Sequence, residues 1–183
     1  IDAPPILDDI EVGPITLHPG PIQEVLREAR LEVTVLDGSN GKAMPCRLTL
    51  TKPDGTLQPM LAEPAGGVAL RVGVCYTGDD KARWSLPAGD HVLRAGRGFE
   101  WNVARTEIRL IAGESRPVTL KLLREVPTEG WVAADSHIHT LTHSGHGDAT
   151  LTERVLTIAG EGIELAVATD HNHHTDFTPA AAG

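Results

Sequence analysis

"TLTERVLTIAGEGIELAVATDH", residues 150–171, reads as a helix followed by a strand. Thr150 and Glu153 have the spacing of a capping box, in which the threonine hydroxyl and the glutamate carboxylate satisfy each other's backbone amides. Leu151, Val155, Ile158 and Ala159 recur on one helical face. Gly160 and Gly162 supply a stop. "IELAVAT" (163–169) is a nearly continuous apolar run, as expected of a strand covered on both faces. Upstream, "VAADSHIH" (132–139) ends another strand, and a loop rich in His and Gly runs from Thr140 to Asp148. Strand, helix and strand in that order imply a parallel pair joined by a right-handed crossover.

The preceding residues have a different grammar. From residue 1 to about 128 the chain reads as all-β. "LEVTVLD" (31–37) alternates apolar and polar residues with period two. "CRLTLTK" (46–52), "VALRVGV" (68–74), "HVLRAG" (91–96), "VARTEIRLIAG" (103–113) and "PVTLKLL" (117–123) read as further strands. The separators "DGSNG", "KPDG", "EPAGG", "LPAGD" and "AGES" are turn formers. This rhythm predicts an antiparallel sandwich. "PIQEVLREAR" (21–30) fits a short helix or an edge strand. The expected organisation is an N-terminal extension (1–27), a β-sandwich (28–127) and an α/β region (128–183).

Seven of the nine histidines lie between His137 and His174. Residues i and i+2 of a strand point to the same side, so His137 and His139 can approach one ion together. Asp170 and His171 end the second parallel strand. A crossover brings both carboxyl ends to one sheet edge, where α/β folds place their sites. His146 lies in the loop leaving that edge. Imidazoles beside carboxylates suit Zn, Mn or Fe. His137, His139, His146 and His171 are therefore the ligand candidates. Asp148 is either a ligand or a carboxylate that orders the loop. Asp135 and Asp170 are the carboxylates expected to fix imidazole tautomers. The competing readings are polar residues on an edge strand for His137 and His139, and a solvated loop residue for His146. His143, His173 and His174 read as solvated or outer residues, and His18 and His91 carry no functional reading.

Composition bounds the partners. Net charge is −9, with no basic cluster, which argues against a nucleic-acid binder. No apolar run reaches the roughly 18–20 residues of a membrane span. The chain begins at Ile1; removal of a signal peptide ahead of it would imply export to the periplasm or beyond the cell. Cys46 and Cys75 read as two buried free thiols, with a disulfide as the alternative in an exported protein.

"DSHIHT … GHGD … ATDHNHHTDF" resembles the opening motifs of the PHP (polymerase and histidinol phosphatase) superfamily of metallohydrolases. "GWVAADSHIHT", preceded by "SLPAGDHVLRAGRGFEWNVARTEIRLIAGESRPVTLKL", is similar to the CehA/McbA-type branch, which joins an N-terminal carboxypeptidase-regulatory-like β-sandwich to a PHP domain. The resemblance spans roughly residues 31–177. It implies a distorted, TIM-like β/α barrel with two or three divalent metal ions, Zn or alternatively Mn or Fe. In such a site a metal-bound hydroxide attacks a phosphoester, or in this branch an amide or carbamate of a small-molecule substrate. The H-x-H motif falls on His137 and His139, the T-D-H motif on Asp170 and His171, and the loop ligand on His146 or Asp148. Later family motifs, a Glu, further His and an Asp-x-His, have no counterpart before Gly183. The resemblance thus implies an N-terminal fragment, inactive alone, whose missing barrel comes from a C-terminal part or another chain. Its exposed apolar faces are expected to favour self-association. The alternative is a sandwich binding module carrying a structural metal site and no catalysis.

Overall fold

The computed structural model describes residues 22–62, 67–78 and 81–182. His18 and most of the N-terminal extension lie outside them, as does most of the "EPAGG" turn. Eleven strands and four helices run through the described residues in chain order. The segment after Pro21 forms a one-turn helix α1 (Ile22–Val25) and then the start of a strand at Ala29, which is paired on both sides and is not an edge strand.

Two sheets form the first region. One has the order β3 (Leu61–Ala62), β6 (Lys81–Leu86), β1 (Ala29–Asp37), β9 (Ser115–Leu122). The other has the order β4 (Val68–Arg71), β5 (Val74–Thr77), β2 (Cys46–Thr51), β7 (Gly89–Gly96), β8 (Ala104–Leu110). The period-two pattern of β1 sends Leu31, Val33 and Val35 inward, where they meet Leu48, Leu50 and Leu93 of the opposite sheet in one buried cluster with Trp84 and Leu122. This is a β-sandwich, and no helix interrupts residues 31–123 among those described.

Several details depart from the sequence reading. "VALRVGV" is not one strand but the hairpin β4–β5, turning at Val72 and Gly73. Gly73 has φ of +68°, and a Cβ there would lie 2.8 Å from the Leu57 side chain and 2.9 Å from the Leu50 carbonyl oxygen. Only glycine fits that turn. The sandwich is not wholly antiparallel either, since β1 pairs β9 in parallel from Arg30↔Ser115 to Asp37↔Leu122. Strands β3 and β6 had no counterpart in the pattern reading.

The second region is the expected strand-helix-strand unit. β10 (Ala134–Ile138) and β11 (Leu165–Ala168) pair in parallel, and α3 (Leu151–Gly160) runs between them. The capping box at Thr150 and Glu153 is formed. The His/Gly loop holds an extra turn of helix, α2 (Leu141–Ser144), capped by Thr140 at its start and by the left-handed Gly145 at its end. β11 is not covered on both faces: Leu165 is 53% and Val167 40% exposed. Past the second histidine cluster, Thr178–Ala181 form the short helix α4. Among the described residues no helix is long and apolar enough to cross a membrane.

Helix α3 lies on the outer face of the five-stranded sheet. Gly160 is buried there; a Cβ would come within 2.8 Å of the Tyr76 ring and 2.9 Å of the Cys46 carbonyl oxygen. Arg97 donates to both the Pro45 and Ala159 carbonyls, at 2.7 and 2.6 Å. Arg47 and Tyr76 both reach Glu161, just past the helix end. The α/β unit is therefore built onto the sandwich, which positions the histidine-bearing edge.

Candidate metal centre

The parallel pairing brings the carboxyl ends of β10 and β11 together. Thr169 donates its amide to the Ile138 carbonyl at 2.8 Å, which sets His139 and His171 on one edge. The ladder register shifts between Asp135 and Ile138, and Asp135 accepts a bond from the His137 amide at 3.0 Å within that irregularity. Beyond His171 the chain turns through Asn172 in the left-handed region, with φ of 54°, a conformation that asparagine tolerates better than most residues.

His139 is the hub. Its Nε2 lies 2.8 Å from Nε2 of His137. Its ring centroid is 4.8 Å from that of His146 and 4.9 Å from that of His171. One ligand atom from each of His139, His146 and His171 falls within 4.8 Å of the others. Two nitrogens at about 2.0–2.1 Å from a tetrahedral zinc stand roughly 3.3 Å apart. Nitrogens within 4.8 Å of one another reach that spacing by a small inward movement at most. The donor set thus fits a divalent metal. Desolvation lowers the His139 pKa, and the His137, His146 and His171 rings lower it further, which favours the neutral imidazole that a metal requires.

The tautomer of His139 follows from its hydrogen bonds. Ser144 Oγ donates to Asp170 Oδ1 at 2.6 Å, which uses its only proton. At 3.2 Å from His139 Nδ1 the same oxygen must accept, so Nδ1 carries the hydrogen and Nε2 offers its lone pair. Ser144 also accepts from the His171 amide at 3.1 Å. Asp170 therefore reaches the His139 imidazole and the His171 backbone through Ser144. Its carboxylate is buried and also accepts from the Thr140 amide at 2.6 Å, from the Thr140 hydroxyl at 2.9 Å and from the Thr175 hydroxyl. Burial pushes its pKa up, but the bonds from Ser144, Thr175 and Thr140 outweigh burial and hold it well below the ordinary carboxylate range.

Asp148 belongs with the loop-ordering alternative. Its Oδ2 accepts from Arg71 Nε at 3.0 Å, and its backbone carbonyl accepts from the same guanidinium. That bond to Arg71 holds its carboxyl below the usual value. Asp135, His137, His139, His146 and Asp148 line one cavity of about 450 Å³, walled on the other side by Arg71 and Tyr76 of the sandwich. His143 and His173 stack on each other, centroids 3.8 Å apart and planes at 8°, beside the cluster and not in it. The sequence reading missed Ser144, Thr140 and Thr175, whose part depends on a fold that gathers residues 140–175 around one carboxylate. It also missed Arg71, 77 residues from its partner.

Cys46 and Cys75 are both buried free thiols. Burial pushes Cys46 up to about 11 and Cys75 up to about 12.

No protein-family model matches the chain. No curated protein matches it either. Among solved structures it is similar to GBS52, the minor pilin of the Gram-positive Streptococcus agalactiae, at 19% identity and a TM-score of 0.39. The match covers 56% of this chain and 46% of that one, so the chain spans about half the length of the pilin or less. A likeness of this size identifies no family.

Proposed function

We propose that the chain carries part of a metal-dependent hydrolase centre of the PHP type, with β10, α3 and β11 as the first unit of its barrel. The supporting observation is the convergence of His139, His146 and His171 on one sheet edge, with a ligand atom of each within 4.8 Å of the others, and His137 Nε2 2.8 Å from His139 Nε2. These four imidazoles hold the metal, zinc or alternatively manganese or iron. When bound, such an ion supplies Lewis acidity and lowers the pKa of water to near neutrality. Ser144 holds His139 in its Nδ1–H form, Asp170 holds Ser144, and Asp135 braces the His137 backbone. The cavity beside them admits a small-molecule phosphoester, amide or carbamate.

The exposed positions of His137, His146 and His171 favour catalysis over a purely structural site, because a structural zinc is closed by four protein ligands and a catalytic one keeps an open position. The open side of β11 and the exposed Phe99 and Trp131 call for cover. We assign that cover to further barrel units, on this polypeptide or another chain, or to a second copy. The test is elemental analysis of protein purified without chelator, with hydrolysis of a nitrophenyl phosphate and of an anilide assayed under added Zn or Mn. Bound metal that is lost in His139→Ala supports the reading. A chain that binds no metal at micromolar Zn or Mn overturns it.

A further inference from the structure

Arg71 stands at the end of β4, in the sandwich, yet most of its bonds go to the α/β unit. Nε donates to Asp148 Oδ2 at 3.0 Å, Nη2 donates to the Asp148 carbonyl, and Nη1 donates to Glu153 Oε1 at 3.0 Å. Asp148 is two residues past His146. Glu153 is the capping-box carboxylate at the start of α3. The next residue, Arg154, donates from Nε to the His139 carbonyl at 3.1 Å. One guanidinium thus grips the loop that carries His146 and the helix end adjoining His139.

The loop needs such a grip. His146 sits between Gly145 and Gly147, both in the left-handed region with φ of 70° and 87°. Glycines on either side give that backbone more freedom than any other residue would. Its other anchors include the Gly145 amide on the Leu141 carbonyl, the Leu141 amide on the carbonyl of buried Ala149, and a longer ion pair of Asp148 Oδ1 with Arg154 Nη2 at 3.8 Å. A planar fork bonding a carboxylate and a carbonyl at once fixes orientation as well as distance.

We propose that Arg71 of the sandwich is a positioning residue for the metal centre, which sets metal affinity by holding the 145–149 loop so that His146 faces His139 and His171. This rests on the metal-centre reading above. It makes the sandwich an integral wall of the site and not an appended binding module. Asp148 serves as the handle that Arg71 holds.

The experiment compares Arg71→Met, Arg71→Lys and Asp148→Asn with the full chain, and uses Arg83→Met, in a surface ion pair with Glu32 at 2.7 Å, as control. Zinc affinity is read by competition with a chromophoric chelator, the coordination sphere by the visible bands of the Co²⁺ form, and loop order by amide exchange of residues 145–149 in metal-free protein. Loss of Arg71 is expected to weaken zinc by about 10–100-fold, as for other groups that orient ligands. It should also shift the Co²⁺ bands and speed exchange in the loop. Arg71→Lys should recover part of the affinity, and Arg83→Met should change nothing. Wild-type affinity and bands in Arg71→Met overturn the proposal. So does loss of metal in Asp148→Asn alone, which would make Asp148 a ligand. If the wild-type chain takes no metal, the hydrolase reading fails by itself; the clamp then stands or falls on the exchange rates.

Discussion

The Nε2 atoms of His137 and His139 face each other at 2.8 Å across one side of β10. Without metal they share a hydrogen, and Ser144 fixes which one gives it: His139 Nε2 accepts, so His137 donates. Metal must displace that proton, and the two rings then present lone pairs to the same region. Because His139 also meets His146 and His171, its loss removes the hub, while loss of His137 removes one arm. His139→Ala should therefore weaken zinc by on the order of 100-fold or more, about 2.7 kcal/mol, and His137→Ala by less. Equal affinities in a chelator-competition titration would contradict this ranking.

Asp170 carries the folding stability of the site. Removing its carboxylate leaves the Thr140 amide, the Thr140 hydroxyl and the Ser144 hydroxyl without their buried acceptor. Orphaned buried donors are costly, and breaking such a network should lower stability by about 2–4 kcal/mol in Asp170→Ala. Asp170→Asn keeps one acceptor oxygen and should lose less. Urea midpoints of the metal-free chain measure both, and an unchanged midpoint in Asp170→Ala would show that the network is not needed for folding.

Gly160 is where α3 touches the sheet. A methyl group there meets the Tyr76 ring and the Cys46 backbone at 2.8 to 3.1 Å. Overpacking of this kind costs about 1–3 kcal/mol. Gly160→Ala should lower the melting temperature despite alanine's better helix propensity. A rise in melting temperature would mean that the helix does not pack as described.

The two thiols give a pH test. Their folded pKa values, about 11 for Cys46 and about 12 for Cys75, lie above the roughly 8.5 of an exposed cysteine. The contribution of a raised acid group is fully present below the unfolded value and is lost as pH rises through the folded one. Stability should therefore fall between about pH 8.5 and about 11, and less steeply in Cys75→Ala. A thiol reagent at pH 8 should label neither cysteine in the native chain and both in urea. Fast native labelling would contradict their burial.

Local rules carried much of the fold. The capping box at Thr150, the alternation in "LEVTVLD" and the i, i+2 pairing of His137 with His139 depend on neighbours within a few residues, so the sequence by itself determined most of the sandwich strands, though not β3, β6 or the β4–β5 hairpin, together with helix α3 and the imidazole pair. The approach of His146 and His171 was also legible, through the handedness of a parallel crossover. The rest was decided by contacts between distant residues. The turn at Val72 and Gly73 is hidden inside an apolar run, because what demands glycine is Leu57 and the Leu50 carbonyl. The parallel pairing of β1 with β9 joins segments about eighty residues apart. Whether Asp148 serves a metal or an arginine depends on Arg71, which only the docking of α3 against β4 and β5 brings near. The tautomer of His139 depends on Ser144, whose single proton is committed to a carboxylate 26 residues further on. Spacing and periodicity encode what a backbone segment does alone; the assignment of hydrogen bonds among polar groups waits on which segments the core has packed together.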